Sequence, residues 1–174
     1  MLFRSKLIPV IYLSGSAAVA GLKDPTVVSE DPAALAAQYD NGFTDALMIF
    51  DLSDRDREQE AHNDLIREIC SRVRIPVFAA GRIRRMEDVK KFLYAGCAMA
   101  FLNLAKKENA ELAAEVADKF GADKIGACFS DLYQVRDNET LLTDHISCLL
   151  YVGDGPLDAL SAVAIKVQIG RAHV

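Results

Sequence analysis

A parallel α/β fold is what this sequence predicts, on three observations. Short apolar, β-branched runs alternate with segments of helical periodicity along most of the chain. The runs are apolar without alternation, as strands covered on both faces must be. Polar residues, Asp51, Arg82 and Asn103, stand where three of the runs end, the edge at which open sheets and closed barrels alike place their sites. A doubly wound sheet and a closed barrel both satisfy this pattern, and periodicity does not choose between them.

The elements follow in order. Lys6 to Leu13 reads as a buried strand with Pro9 near its start, and Gly15, Ser16 and Gly21 make the next segment a loop or short hairpin. Asp31 is placed to cap a helix whose first residue is Pro32, and Asn41-Gly42 closes it. Ala46 to Asp51 is the second strand, with its acid at the exit. After the charged stretch Ser53 to Arg57, the residues Leu65, Ile66, Ile69, Cys70 and Val73 share one face of a helix. Ile75 to Ile83 is a third strand that empties through Gly81 into a helix carrying Met86, Val89, Phe92 and Leu93, stopped by Gly96.

Ala98 to Asn103 is the fourth strand; Leu112, Val116 and Phe120 stripe the helix after it, and Gly121 ends that helix. Lys124 to Phe129 is the fifth. Beyond it the expected elements are a short helix over Leu132 to Ile146, a strand from Cys148 to Val152, a brief helix from Pro156 to Ala162 and a last strand from Val163 to Gln168. About seven strands result.

The chain has 174 residues, 51% of them hydrophobic, which suits one domain with a sizeable core. A net charge of −5 argues against a nucleic-acid partner, and the one dense basic cluster, Arg82, Arg84 and Arg85, suits a small anion. The strand-to-glycine-to-helix turn at Gly81 is a candidate phosphate loop, because the first turn of a helix offers unpaired N–H groups and the positive end of its dipole. No apolar run reaches the roughly 18 residues of a membrane span, and with no signal-peptide pattern the expected compartment is the cytoplasm. Cys70, Cys97, Cys128 and Cys148 form no Cys-x-x-Cys pair and read as buried thiols of a reducing compartment. No metal or other cofactor is expected. His62 reads as lying on the polar side of its helix and His145 near a helix end, both as surface histidines.

Several stretches then recur in a familiar order: Leu7-Ile8-Pro9-Val10-Ile11, Gly21, Asp31-Pro32, Ile49-Phe50-Asp51-Leu52, Ile75-Pro76-Val77 with Gly81-Arg82-Ile83, the Asp88 to Gly96 helix, Leu102-Asn103 and Lys119-Phe120-Gly121. Together they resemble the histidine-biosynthesis (β/α)8 barrels, the cyclase subunit of imidazole glycerol phosphate synthase and its isomerase relative. The resemblance covers about Lys6 to Phe129. It implies a TIM-type parallel barrel, incomplete here, over residues 6–168, lacking the last helix-strand-helix. The short ends, 1–5 and 169–174, read as translated sequencing-adapter DNA and so as non-native.

In that family two aspartates, one in strand one and one ending strand five, act as general acid and base on a bisphosphorylated ribotide. The first position is Tyr12 here, and the second is Phe129, with Asp131 two residues on as a possible substitute. A tyrosine, with an ordinary value near 10, is a poor base, and a phenylalanine carries no proton. The family's anchoring lysine falls on Ala20, and its Gly-Gly-Gly-Ile loop is Ala80-Gly81-Arg82-Ile83. What the resemblance leaves is phosphate binding by Gly81, Arg82 and Asn103 and a strand-exit acid at Asp51. With both acids gone it implies a degenerate, non-catalytic domain, N-terminal to fused phosphoribosyl-AMP cyclohydrolase and phosphoribosyl-ATP pyrophosphatase domains. The alternative is an active cyclase subunit or ribotide isomerase that uses Asp131 with Asp51. The partners implied are a phosphorylated ribotide and a fused or separate histidine-biosynthesis enzyme.

Overall fold

A computed structural model describes residues 7–152. The chain divides into two compact units, one running to Arg82 and including Lys90–Ala98, the other comprising Ile83–Val89 and the chain from Met99 onward.

In the first unit, β1 (Val10–Ser14) turns through Gly15 into an antiparallel hairpin with β2 (Ala17–Val19), and β3 (Val27–Ser29) pairs antiparallel with β2. Of the loop or short hairpin expected after the first strand, the structure has the hairpin. On its other side β1 pairs in parallel with β4 (Leu47–Asp51), and β4 in parallel with β5 (Val77–Ala80). All five residues of β4 are buried, which is why that run carries no polar alternation.

Helix α1 (Pro32–Tyr39) begins as its sequence dictates: the Asp31 carboxylate accepts the Ala34 N–H at 3.1 Å, and Pro32 occupies the first turn. Helix α2 (Asp56–Arg72) starts within the stretch expected to be a charged loop, and it buries Gln59, His62 and Asn63 as well as Ile66 and Ile69. Helix α3 (Met86–Ala95) closes on Gly96 at φ +113, where the Cys97 N–H reaches the Phe92 carbonyl at 3.1 Å and the Gly96 N–H the Leu93 carbonyl at 3.1 Å. This is a Schellman turn, and its left-handed residue is why the helix stops at the glycine.

In the second unit, β6 (Met99–Asn103), β7 (Ile125–Phe129) and β8 (Cys148–Tyr151) pair in parallel in that order. Helix α4 (Asn109–Phe120) lies between β6 and β7 in the chain and buries Leu112, Ala113 and Val116. The single helix expected after β7 is two, α5 (Leu132–Asp137) and α6 (Glu139–His145). The break is at Asn138, whose side-chain amide donates to the Gln134 carbonyl at 2.7 Å, offering the backbone a local alternative to a continued helix.

Parallel strands joined by helices in both units are the repeat of the (β/α)8-type barrel, and six such strands fall among the described residues. The expected helix from Pro156 and strand from Val163 lie outside them. Of the four thiols, Cys97 and Cys128 are buried as expected, whereas Cys70 and Cys148 are only partly covered.

Candidate functional site

A buried polar cluster in the first unit forms where β1 and β4 end. Asp51, the last residue of β4, is 3% exposed and His62, two turns into α2, is 1% exposed. Asp51 Oδ1 lies 2.6 Å from His62 Nδ1 and also accepts the Ser53 N–H at 2.9 Å. His62 Nε2 lies 2.7 Å from the Gly15 carbonyl oxygen in the β1–β2 turn. Glu58, one turn before His62, accepts the Gly15 N–H at 2.6 Å and stands 3.8 Å from His62 Nε2.

Each ring nitrogen of His62 thus faces an acceptor with no proton to give, one a carboxylate and one a carbonyl. Both nitrogens donate only if the ring is the imidazolium. Burial works against that charge. The hydrogen bond to Asp51, the Gly15 carbonyl and the Asp51 and Glu58 charges outweigh it and hold the imidazole above its ordinary value. The expectation of a surface histidine at position 62 is corrected here: α2 turns this side chain inward, on the same face as Ile66 and Ile69.

The arrangement positions rather than transfers protons. With Nε2 committed to a backbone carbonyl, His62 keeps no nitrogen for a ligand, and the pair ties the β1–β2 turn to β4 and α2. An open cleft of about 500 Å³ lies beside it, lined by Gly15, Ser16, Arg55, Arg57, Glu58 and Leu65 among others. Asp51 Oδ2 and Ser53 Oγ are buried and have no hydrogen-bond partner among the described residues. Among the described residues no group of three or more His, Cys, Asp or Glu side chains is placed to hold a metal.

Gly81 and Arg82 belong to the same unit. Gly81 sits at φ +100, and a Cβ there would run into the Asp51 carbonyl oxygen and come within 2.9 Å of its nitrogen. The close approach of two strand exits is therefore what this glycine permits. Arg82 follows at φ +55, a left-handed conformation unusual for a side chain of its size. Its Nη2 donates to Asp56 at 2.9 Å, its carbonyl accepts from Gln59 at 3.4 Å, and its Nη1 is buried with no partner among the described residues.

Asn103 lies in the second unit, exposed at the end of β6, where its side chain accepts the Ala105 N–H at 2.9 Å and its carbonyl accepts from Asn109 at 2.7 Å. That is an Asx-type turn.

Tyr12, partly buried in β1, stacks on Phe50 with ring centroids 5.5 Å apart. Phe129 is the last residue of β7, 2% exposed, with its ring 5.6 Å from that of Tyr151. Asp131 is exposed beyond the strand and caps α5 through the Tyr133 N–H at 2.8 Å. Ala20 is exposed in the hairpin, and His145 ends α6 partly buried.

The signal that would have revealed His62 was present. Carried back one turn, the Ile66 and Ile69 stripe passes through His62 and Gln59, and their polarity masked it. The tie to Gly15 is a contact across 47 residues, which local patterning does not place.

Among known proteins, the family described as Histidine biosynthesis protein matches residues 6–129. An imidazole glycerol phosphate synthase subunit HisF of Elusimicrobium minutum (strain Pei191) is 33% identical over 101 residues, covering 58% of this chain and 40% of that protein. The subunit of the same name from Thermobifida fusca (strain YX) is 30% identical over 121 residues, 69% of this chain and 47% of that protein. The chain thus spans less than half the length of these relatives. With more than two thirds of its residues inside the family match, and with parallel strand–helix repeats in both units, this chain belongs to the histidine biosynthesis protein family.

Proposed function

We propose that this chain is a non-catalytic barrel domain of histidine biosynthesis, one that serves a docking or scaffolding role for a fused or separate enzyme of the same pathway. The observation that carries the reading is the pair of aromatic residues where the resemblance puts general acid and base. Tyr12 is stacked on Phe50, and Phe129, buried at the end of β7, has its ring against that of Tyr151. A phenyl ring moves no proton, and a phenol is a poor base near neutral pH. Asp131, the candidate substitute, is engaged as a helix cap, and the Asp51 carboxylate is engaged by His62.

The reading includes a longer polypeptide in which cyclohydrolase and pyrophosphatase domains supply the chemistry, as the resemblance implies. It keeps one element of ligand recognition, a phosphate contact of Arg82, supported by the Nη1 of that side chain, which has no partner among the described residues. The test is ammonia-dependent ring closure on the family's bisphosphorylated ribotide, with calorimetric titration of the same compound. The expected result is no turnover above the uncatalysed rate, and weak binding lost in Arg82→Ala. Turnover that disappears in Asp131→Asn would overturn the proposal in favour of an active cyclase.

A further inference from the structure

Away from the cluster at Asp51, α2 and the turn after α3 bring two thiols together that lie far apart in the sequence. Cys70 is in the last turns of α2, and Cys97 follows the Schellman turn of α3; their sulfurs are 4.0 Å apart. The Cys97 side of the contact is fixed by its backbone. Cys97 is held by its own N–H to the Phe92 carbonyl at 3.1 Å, and the next residue is held by the Ala98 N–H to the Val77 carbonyl at 2.8 Å. Gly96 makes the approach possible, since a Cβ at that position would lie 2.9 Å from Cys70 Cβ and 3.5 Å from its sulfur.

We propose that Cys70 and Cys97 are a redox-active dithiol that closes to an intramolecular disulfide when the protein meets a peroxide. The two sulfurs differ in the way such a step needs. Cys70 is partly exposed and Cys97 is buried, so an oxidant reaches Cys70 first. The contact with Cys97 also holds the Cys70 thiol below its ordinary value, while the same contact and burial push that of Cys97 up.

The Cys70 thiolate attacks one peroxide oxygen; the O–O bond breaks, hydroxide leaves, and Cys70 becomes a sulfenic acid. Cys97, giving up its proton, then attacks the Cys70 sulfur, the S–O bond breaks, and a second hydroxide leaves. The two sulfurs lose two electrons together, the peroxide gains them, and with the two thiol protons the by-products are two waters. Closure requires the sulfurs to approach by about 2 Å, toward the S–S bond length.

The experiment treats the whole chain with hydrogen peroxide under native conditions and in urea, blocks free thiols, and maps the peptides by mass spectrometry. The expected native product is about 2 Da lighter, carries the 70–97 cross-link in preference to any other, and returns to four free thiols with dithiothreitol. In urea that preference disappears. Cys128→Ser with Cys148→Ser retains the cross-link, and Cys97→Ser leaves Cys70 as sulfenic acid trapped by dimedone. The same mixture of cross-links in both conditions, or sulfinic acid at Cys70 with Cys97 still present, would overturn the proposal.

Discussion

Replacing His62 by glutamine removes the one titrating donor from the Asp51–His62–Gly15 bridge and tests whether that bridge is an ion pair. Both partners are almost fully buried, Asp51 at 3% and His62 at 1%, so solvent screens the pair little. Taking away one member of a buried pair strands the other charge, which costs about 3–5 kcal/mol. Loss of the hydrogen bond to Gly15 falls within that figure, because the same side chain makes both contacts.

The pH dependence has a definite sign. His62 is held above its ordinary 6.5 in the folded chain, so the native state keeps a proton that the unfolded chain releases. Its contribution is complete below that value and is lost as pH rises through the raised folded one. Across that window stability falls with pH, at no more than about 1.4 kcal/mol per pH unit for a single proton. The assay is urea unfolding followed by circular dichroism at a series of pH values from about 5.5 to 9, for wild type and His62→Gln. The variant should be the less stable below neutrality, and the gap between the two curves should narrow toward the alkaline end. Parallel curves over the whole range would refute the imidazolium, and a variant within about 1 kcal/mol of wild type at the acid end would refute the pair's contribution.

Four other outcomes follow from the geometry. Gly81→Ala should cost at least about 4 kcal/mol in the same unfolding assay, since the added carbon meets the Asp51 backbone of a fully buried strand. Gly42→Ala, also at positive φ (+83) but with open space around it, should cost only about 1–2 kcal/mol. Asp31→Ala removes the cap of α1 and should lower stability by about 1 kcal/mol, read as a reduced urea midpoint with an unchanged slope. Val28→Lys should slow aggregation in light scattering without changing the unfolding midpoint, because β3 presents Val27 and Val28 about half exposed and a charge there discourages added strands.

Much of the fold was legible because burial on both faces leaves an unmistakable apolar run, and because caps and glycines punctuate the helices. The Asp31-Pro32 start of α1 and the Gly96 and Gly121 stops are local events decided by a few neighbouring atoms. The site was less legible for a matching reason. Asp51 could be singled out from its place at a strand exit, yet its partner sits 11 residues on, in a helix whose buried face is itself partly polar. Helical periodicity read through hydrophobic residues alone is blind to a buried polar face. Likewise Cys70 and Cys97 meet only because α2 and the end of α3 pack together, a contact that spacing along the chain does not encode.

Gly81 carries one more consequence. Its lack of a side chain is required by the protein's own backbone at Asp51, with no ligand involved. A lineage that had abandoned phosphate altogether would be held to glycine there as firmly as one that still bound it. Glycine at this position is thus required by folding, and its presence alone says nothing of whether a phosphate is bound.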